Sequence, residues 1–282
     1  MPLTAIKDNS GKIFKYVLID SSDSAVEIHP HGATITSWVA GGKQRLFLSK
    51  KAILDGSKPI RGGIPLVFPQ FGPGKLKQHG FARDTVWELL GYKDQSDGVK
   101  AKFLLSENSS TLGSLWPYKF RLVYTILLSQ SSLKLSFELK NTDQNPFSFT
   151  TLFHTYFVTS DIENVRVNNL EQTIYDDKIE KSVDNKETSD AIRFTKSVDR
   201  VYKNTVDELK VTISNDESIL ITKKNLNDIV LWNPWAEIAK GMSDFGDEEY
   251  KTMFCAEAGS VSTPIELQPG NDWECHMQLT LQ

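Results

Sequence analysis

The sequence predicts an all-β protein, a large antiparallel β-sandwich with a few short helices. Three segments carry this prediction, because apolar and polar residues alternate in them with a period of two. They are residues 120–128, 133–140 and 273–281. Each pattern is typical of a strand with one buried face and one wetter face.

Further strands are predicted from shorter apolar runs that end in turn residues such as Asp97-Gly98 and Asn215-Asp216. These strands cover residues 25–29, 33–40, 45–49, 86–92, 99–106, 165–170, 209–214, 219–223 and 229–232. Helical periodicity is scarce, and short helices are predicted only at residues 49–54 and 244–250.

Strand patterns recur from one end of the 282-residue chain to the other. No proline-, glycine- or serine-rich linker interrupts them, and no repeat of fixed length is apparent. The sequence therefore predicts one domain over residues 1–282, with two large stacked sheets.

The composition excludes several classes of partner. The net charge is −4 without long runs of like charge, so neither nucleic acid nor an anionic membrane surface is an expected partner. The first residues lack the pattern of a signal peptide, and no apolar stretch approaches the ~18 residues of a membrane span. Two cysteines, Cys255 and Cys275, stand in no metal or redox spacing, which favours reduced thiols in the cytoplasm.

The strand predicted over residues 147–157 is apolar on both faces, as in a strand covered on both sides. His154 lies on the face shared with Leu152 and Tyr156. A histidine among aromatic residues is more often a hydrogen-bonded core residue than a catalytic group, and both interpretations stay open here.

Glu257 is the only charged residue of another apolar strand, predicted over residues 252–259. It shares a face with Met253 and Cys255. A buried carboxylate is costly unless it is paired or hydrogen-bonded. A structural ion pair would explain Glu257, and so would a general base.

Two segments, residues 59–69 and 78–83, are rich in glycine and contain Arg61 and Arg83, two of the seven arginines of the chain. Glycine lets the backbone approach a ligand closely, and guanidinium groups bind phosphate or carboxylate in a fork. The spacing is that of neither a P-loop nor a dinucleotide fingerprint. Loops that merely close the edge of a sandwich remain the alternative.

Two tryptophans, Trp232 and Trp235, flank a turn at the end of a predicted strand. Aromatic faces stack on the C–H surfaces of sugars, so Trp235 is a candidate contact for a sugar. The alternative interpretation is that the two tryptophans of the turn only fill space in the apolar core.

Taken together, the sequence resembles the hexose 6-phosphate mutarotases, a branch of the aldose 1-epimerase family with the galactose-mutarotase-like fold. The motifs occur in family order along nearly the whole chain. They are GAT (32–34) with SW (37–38), DGSKPIRGGIP (55–65), QHGFAR (78–83), LFHTYF (152–157), VDRVY (198–202), WNPW (232–235), CAE (255–257) and LQPG (267–270).

The resemblance implies a catalytic pair, with Glu257 as the base at the anomeric oxygen O1 and protonated His154 as the acid at the ring oxygen O5. It also implies that four residues contact the substrate, namely Arg61, Gln78, Arg83 and Asp199. We add His79 and Trp235 as further expected contacts. Family members often have proline or asparagine after the glutamate, where this chain has Ala258, which puts the local loop shape in question.

The activity implied is interconversion of the α and β anomers of a hexose 6-phosphate by ring opening and reclosure. Separately, the protein is expected to be a monomer. No metal or other cofactor is needed for this reaction. A glycoside hydrolase would need two carboxylates around the bond, and only Glu257 has a convincing strand context. A non-catalytic sugar-phosphate-binding or regulatory protein on the same fold remains the alternative function.

Overall fold

The computed structural model describes residues 2–214 and 217–282, and strands dominate this part of the chain. In chain order they are β1 (Leu3–Lys7), β2 (Ile13–Ile19), β3 (Ala25–His29), β4 (Thr34–Ala40), β5 (Lys43–Gln44), β6 (Leu66–Val67), β7 (Glu88–Gln95), β8 (Gly98–Ser106), β9 (Phe120–Ser129), β10 (Ser132–Asn141), β11 (Phe147–Phe153), β12 (Tyr156–Val158), β13 (Arg166–Asn168), β14 (Ile174–Asp177), β15 (Ser182–Lys186), β16 (Ala191–Ile192), β17 (Val198–Lys203), β18 (Glu208–Ser214), β19 (Glu217–Lys224), β20 (Asp228–Asn233), β21 (Met253–Leu267) and β22 (Asp272–Leu281).

Helices are short, as the sequence predicts, but they lie elsewhere. The α-helices of the described residues are α1 (Ser109–Leu112) and α2 (Trp235–Lys240), and 3₁₀ turns cover Ala82–Asp84, Ile162–Asn164 and Glu249–Thr252. The helix predicted at residues 49–54 is wrong, because a turn and irregular backbone occupy that segment. The one predicted at residues 244–250 is reduced to a 3₁₀ turn at its end. None of the helices described is long and apolar enough to span a bilayer.

The strands pair antiparallel in three sheets, which confirms the all-β, antiparallel fold class. A nine-stranded sheet has the order β16-β13-β18-β19-β22-β10-β9-β8-β7, and an eight-stranded sheet has the order β15-β14-β17-β20-β21-β11-β6, with β12 also on β21. A smaller sheet, β1 to β5 in sequence order, forms the N-terminal part of the molecule.

The two large sheets stack face to face around one apolar core. On β10, Leu133, Leu135, Phe137 and Leu139 are buried in alternation with more exposed neighbours. From the opposite sheet, Phe153 meets Phe137 with ring centroids 4.8 Å apart. The apolar residues of the period-two pattern are therefore the ones that lie on the inner face of the sandwich.

Most predicted strands are observed within a few residues of their expected ends. The strand expected at residues 45–49 is wrong: Leu46 and Leu48 form isolated bridges to two different partners, Phe157 and Gly62, so no continuous ladder develops. The turn predicted at Asn215-Asp216 lies outside the described residues.

The segment at residues 147–157 was expected to be one strand and is interrupted at His154-Thr155. There the backbone N–H of His154 donates to the carbonyl of Pro65 at 3.0 Å, and that of Tyr156 donates to Gly63 at 2.9 Å. The glycine-rich loop therefore takes over the hydrogen bonds of this stretch.

Two glycines of the basic segments are required by the backbone, which is the alternative that the sequence left open for these loops. Gly63 has φ +67°, and an added Cβ would lie 1.9 Å from the carbonyl oxygen of Ile35. Gly80 has φ +71°, and its Cβ would lie 2.3 Å from the carbonyl oxygen of Phe68. Both positions therefore demand glycine for chain packing.

We expect Gly63→Ala to lower the free energy of unfolding by at least about 3 kcal/mol, since a left-handed non-glycine residue and a backbone overlap add together. Gly11→Ala is the matched control: its φ is +83°, but the added Cβ meets no described atom within 4 Å, so about 1–2 kcal/mol is expected. Urea denaturation measures both. Equal losses of unfolding free energy in the two variants would show that the close approach of Gly63 to Ile35 does not add to the cost.

Candidate active site

The candidate site lies on the face of the eight-stranded sheet that points away from the core. The register places Asp199 opposite Trp232, Trp232 opposite Cys255, and Cys255 opposite Tyr156, so these side chains form one row across four strands. Glu257, two residues after Cys255 on β21, lies on the same face one row further.

A cavity of about 200 Å³ opens above this face. It collects residues that are far apart in the sequence, and seven of the eight predicted site residues line it. The lining consists of Arg61, Phe71, Gly72, Pro73, Gln78, His79, Arg83, His154, Lys178, Asp199, Val230, Trp232 and Glu257.

His154 and Glu257 form a close buried pair at the base of this cavity. Nδ1 of His154 lies 3.3 Å from Oε1 of Glu257, whose side chain is 1% exposed. The ring of Tyr156 stacks on His154, with centroids 4.6 Å apart and planes 6° from parallel. Among the described residues, Nδ1 of His154 and Oε2 of Glu257 have no hydrogen-bond partner. Two buried proton-exchanging groups are therefore held side by side with unused hydrogen-bonding capacity.

Burial shifts the two groups in opposite directions. It raises the pKa of Glu257 well above its usual value, with Asp199 adding to the effect. It lowers the pKa of His154 well below its usual value, and His79, Arg83 and Arg61 add to that effect. Both directions favour the uncharged form of each group in the free site, a neutral imidazole beside a protonated carboxyl group.

Arg61 is held in place by two polar contacts at the rim of the cavity. Its Nε donates to Oδ2 of Asp244 at 3.2 Å, and its Nη1 donates to the hydroxyl of Tyr156 at 3.1 Å. Because Tyr156 also stacks on His154, the arginine and the imidazole share one support.

Arg83 enters the same cavity from the 3₁₀ turn at Ala82–Asp84. Its Nη2 donates to the carbonyl oxygen of Gln78 at 2.8 Å, whereas its buried Nε has no partner among the residues described. A buried N–H donor without a protein partner is available to a ligand oxygen.

His79 contributes a neutral imidazole. Burial, with help from Arg83, Lys178 and Arg61, lowers the pKa of His79 to about 3. Its Nδ1 accepts a hydrogen bond from the backbone N–H of Gly72 at 3.2 Å. The proton of the ring must then be on Nε2, which makes that atom a donor.

Asp199 and Lys178 form an ion pair at the other side of the cavity, with Oδ1 and Nζ 3.7 Å apart. Burial raises the pKa of Asp199, and Lys178 opposes that shift. The ammonium group of Lys178 also lies 4.1 Å from the ring centre of Phe71. The pair places one positive and one negative group within reach of the same ligand.

The structure does not bring Trp235 into the cavity. Its ring packs on Tyr250 with centroids 5.1 Å apart, and its backbone N–H is bound by the side chain of Asn233 as α2 begins. Trp232 lines the cavity instead, because it lies on the outward face of β20, opposite Asp199 and Cys255.

Sequence reasoning missed Lys178, Tyr156 and Asp244 as members or supports of the site. Lys178 lies in a charged turn after β14 that is indistinguishable from any solvated turn. Asp244 comes close only through the folding of the segment after α2. Tyr156 had a usable signal, since it shares a strand face with His154.

With this fold and site described, comparison with known proteins defines the family. The family described as Aldose 1-epimerase matches residues 15–280, and the chain belongs to it. It is 40% identical over 288 residues to a protein of Cenchrus ciliaris named "Putative glucose-6-phosphate 1-epimerase", covering 98% of this chain and 86% of that relative. A protein of the same name from Escherichia coli (strain K12) is 31% identical over 260 residues, covering 86% of this chain and 85% of its own length. The resemblance seen in the sequence is confirmed.

Solved structures share the fold over nearly the whole chain. A protein from Salmonella typhimurium described as a "putative mutarotase (YeaD)" has a TM-score of 0.88 at 24% identity, covering 99% of this chain and 96% of that chain. The galactose 1-epimerase from Lactobacillus acidophilus NCFM has a TM-score of 0.73 at 14% identity, covering 99% and 98%. The galactose-mutarotase-like sandwich is therefore the fold of this chain.

The state of His79 is open to a direct measurement. We expect its ring to stay neutral, with the proton on Nε2, from pH 8 down to about pH 5, because its pKa of about 3 lies well below that range. Nitrogen-15 NMR of the imidazoles reports both properties, and His79→Asn assigns the signals by their loss. A transition near pH 6.5 would contradict the burial and tautomer described above.

Proposed function

We propose that this protein is a hexose 6-phosphate mutarotase, which interconverts the α and β anomers of glucose 6-phosphate and also of galactose and mannose 6-phosphates. The observation that carries the proposal is the buried Glu257–His154 pair in a cavity that also contains Arg61, Arg83 and Lys178. An acid and a base supply the chemistry, and the cations suit a phosphate group. The names of the two relatives point to the same substrate class.

Mutarotation requires a proton to leave the anomeric hydroxyl group and a proton to reach the ring oxygen. The C1–O5 bond then breaks, the aldehyde group rotates, and reclosure gives the other anomer. We assign Glu257 as the base at O1 and His154 as the acid at O5, with the roles exchanged on reclosure. A carboxylate and an imidazole 3.3 Å apart can perform both transfers provided that the pair holds one proton.

The substrate itself helps to place that proton. In the free site, burial lowers the pKa of His154 and raises that of Glu257, and the nearby arginines lower the pKa of His154 further. A phosphate dianion bound by Arg61 and Arg83 offsets those cations. Its negative charge raises the pKa of both groups, and the rise at His154 makes the imidazolium that acts as the acid easier to form.

The remaining polar groups of the cavity are assigned to binding. Arg61 and Arg83 bind the phosphate group, and Lys178 adds a third cation at the same cavity. Gln78 and neutral His79 donate hydrogen bonds to sugar oxygens, and Asp199 accepts one from a sugar hydroxyl group. Trp232 takes the stacking role that the sequence assigned to Trp235.

We further propose that residues 1–282 form one domain and that the protein acts as a cytoplasmic monomer. One buried apolar cluster contains residues from all three sheets, which supports the single domain. Both cysteines are buried free thiols, which suits a reducing compartment. With a net charge of −4, nucleic acid and anionic membranes are not proposed as partners. A non-catalytic binding protein on this fold is the less favoured alternative, since the relatives are named as epimerases.

We expect Glu257→Gln and His154→Asn each to lower the rate of anomer exchange by about 10²–10⁴-fold, because each variant removes one proton-transfer partner. Exchange NMR of glucose 6-phosphate measures the rate above the spontaneous reaction. Glu274→Gln changes an exposed carboxylate on β22 and should leave the rate unchanged. If Glu257→Gln binds glucose 6-phosphate and exchanges it at the wild-type rate, the proposed mechanism is wrong.

The phosphate contacts predict a difference between two substrates. The phosphate group is remote from C1, so Arg61→Ala and Arg83→Ala should chiefly raise KM for glucose 6-phosphate and change kcat less. Loss of charge-assisted hydrogen bonds, each about 1.5–3 kcal/mol, corresponds to about 10–100-fold in kcat/KM.

The same variants should hardly change the weak use of free glucose. Arg121→Ala, an exposed arginine on β9, is the matched control and should behave as wild type with both sugars. Equal losses on glucose and glucose 6-phosphate would mean that these arginines support the loops rather than bind the phosphate group.

A further inference from the structure

His154 and Glu257, which line the cavity, lie close to a third metal-binding side chain, the fully buried Cys255, which the mutarotase reaction does not require. His154, Cys255 and Glu257 each offer one ligand atom, and these atoms all lie within 4.8 Å of one another. All three residues are buried. Cys255 and Glu257 lie two residues apart on β21, so both point from the same face of the strand.

The spacing of these atoms is close to that around a zinc ion. With bond lengths of about 2.0–2.3 Å and tetrahedral angles, two ligand atoms of zinc are about 3.3–3.8 Å apart. The His154–Glu257 distance of 3.3 Å already meets this value. The remaining separations are at most 4.8 Å, so side-chain shifts of about 1 Å complete the geometry.

We propose that His154, Cys255 and Glu257 bind a zinc ion, or another thiophilic divalent cation of similar size, and that the bound ion blocks the catalytic pair. A thiol, an imidazole and a carboxylate form a donor set that selects zinc over magnesium or calcium. Among the described residues, Nδ1 of His154 and Oε2 of Glu257 lack other partners. Both His154 and Glu257 line the cavity, so the fourth position of the ion faces it.

The charges of the site allow a cation to bind. On binding, the S–H bond of Cys255 and the O–H bond of Glu257 break, sulfur–zinc and oxygen–zinc bonds form, and both protons leave to solvent. The resulting thiolate and the carboxylate of Glu257 together balance the two charges of the ion. Of the nearby cations, Arg61 is paired with Asp244 at 3.2 Å and Lys178 with Asp199 at 3.7 Å, which reduces their repulsion of the ion.

Cobalt(II) serves as the spectroscopic probe, because it takes zinc sites and shows an absorption band when a thiolate binds it. We expect one cobalt ion to bind the wild-type protein with a sulfur-to-cobalt band and with the visible spectrum of a tetrahedral site. Cys255→Ala and Cys255→Ser should lose the sulfur band. Cys275→Ala removes the other buried thiol, which lies on β22 in the opposite sheet, and should keep the band.

Zinc affinity, measured by calorimetry, should fall more than about tenfold in both Cys255 variants, since loss of a ligand costs at least as much as loss of its supporting contacts. Thermal denaturation shows which variant is folded. If Cys255→Ala is unstable, Cys255→Ser is used instead, because serine is close to cysteine in volume. A wild-type protein without the sulfur band, or a band that survives both substitutions, would overturn the site.

The inhibitory consequence rests on the proposed mutarotase function. Zinc should suppress anomer exchange competitively with glucose 6-phosphate, and inhibition of the folded Cys255 variant should need more than about tenfold more zinc. If zinc binds through Cys255 but does not slow anomer exchange, the proposed inhibition is wrong while the metal site stands. A protein that binds cobalt through Cys255 but never catalyses exchange would leave the metal site standing and refute the proposed function.

Discussion

The burial of both faces of the first half of β21, residues 253–260, is the constraint on which the rest of the site depends. Phe254, Ala256 and Ala258 pack into the core between the large sheets, so Cys255 and Glu257 have to point to the other side. A shift of register by one residue would place the carboxylate of Glu257 in an apolar core, at a large cost in free energy. The orientation of Glu257, the proposed base, is therefore set by the packing of its neighbours, without any contribution from a ligand.

That burial also explains the electrostatic character of the cavity. A carboxyl group that is 1% exposed cannot be stabilised by water, so its protonation responds to every charge around it. The pairs Arg61–Asp244 and Lys178–Asp199 keep much of the local positive charge balanced. The cavity is thus suited to a ligand that brings charge with it, because such a ligand changes the protonation of the groups that it meets.

Much of the fold follows from the sequence, because alternation on strands such as β10 and β22 directly reflects one buried face. The break after Phe153 could not be predicted, since the hydrogen bonds that cause it come from a loop some 90 residues earlier in the chain. Glu257 was recognisable as the only charge in an apolar strand, and His154 as a polar residue among aromatics. Lys178 was not recognisable, because an exposed lysine in a turn carries no local sign of the residue that it faces.

The break in the strand links two parts of the site, the loop after Arg61 and the segment at His154, through backbone hydrogen bonds. The backbone of Gly63–Pro65 receives the hydrogen bonds of His154 and Tyr156, and Arg61 is only two residues upstream. The loop that contains Arg61, which is proposed to bind the phosphate group, thus also holds the backbone of His154 in place. Replacing this loop in order to recognise another sugar would also displace His154, the proposed acid. Under the proposed mechanism, specificity and catalysis would therefore have to be redesigned together.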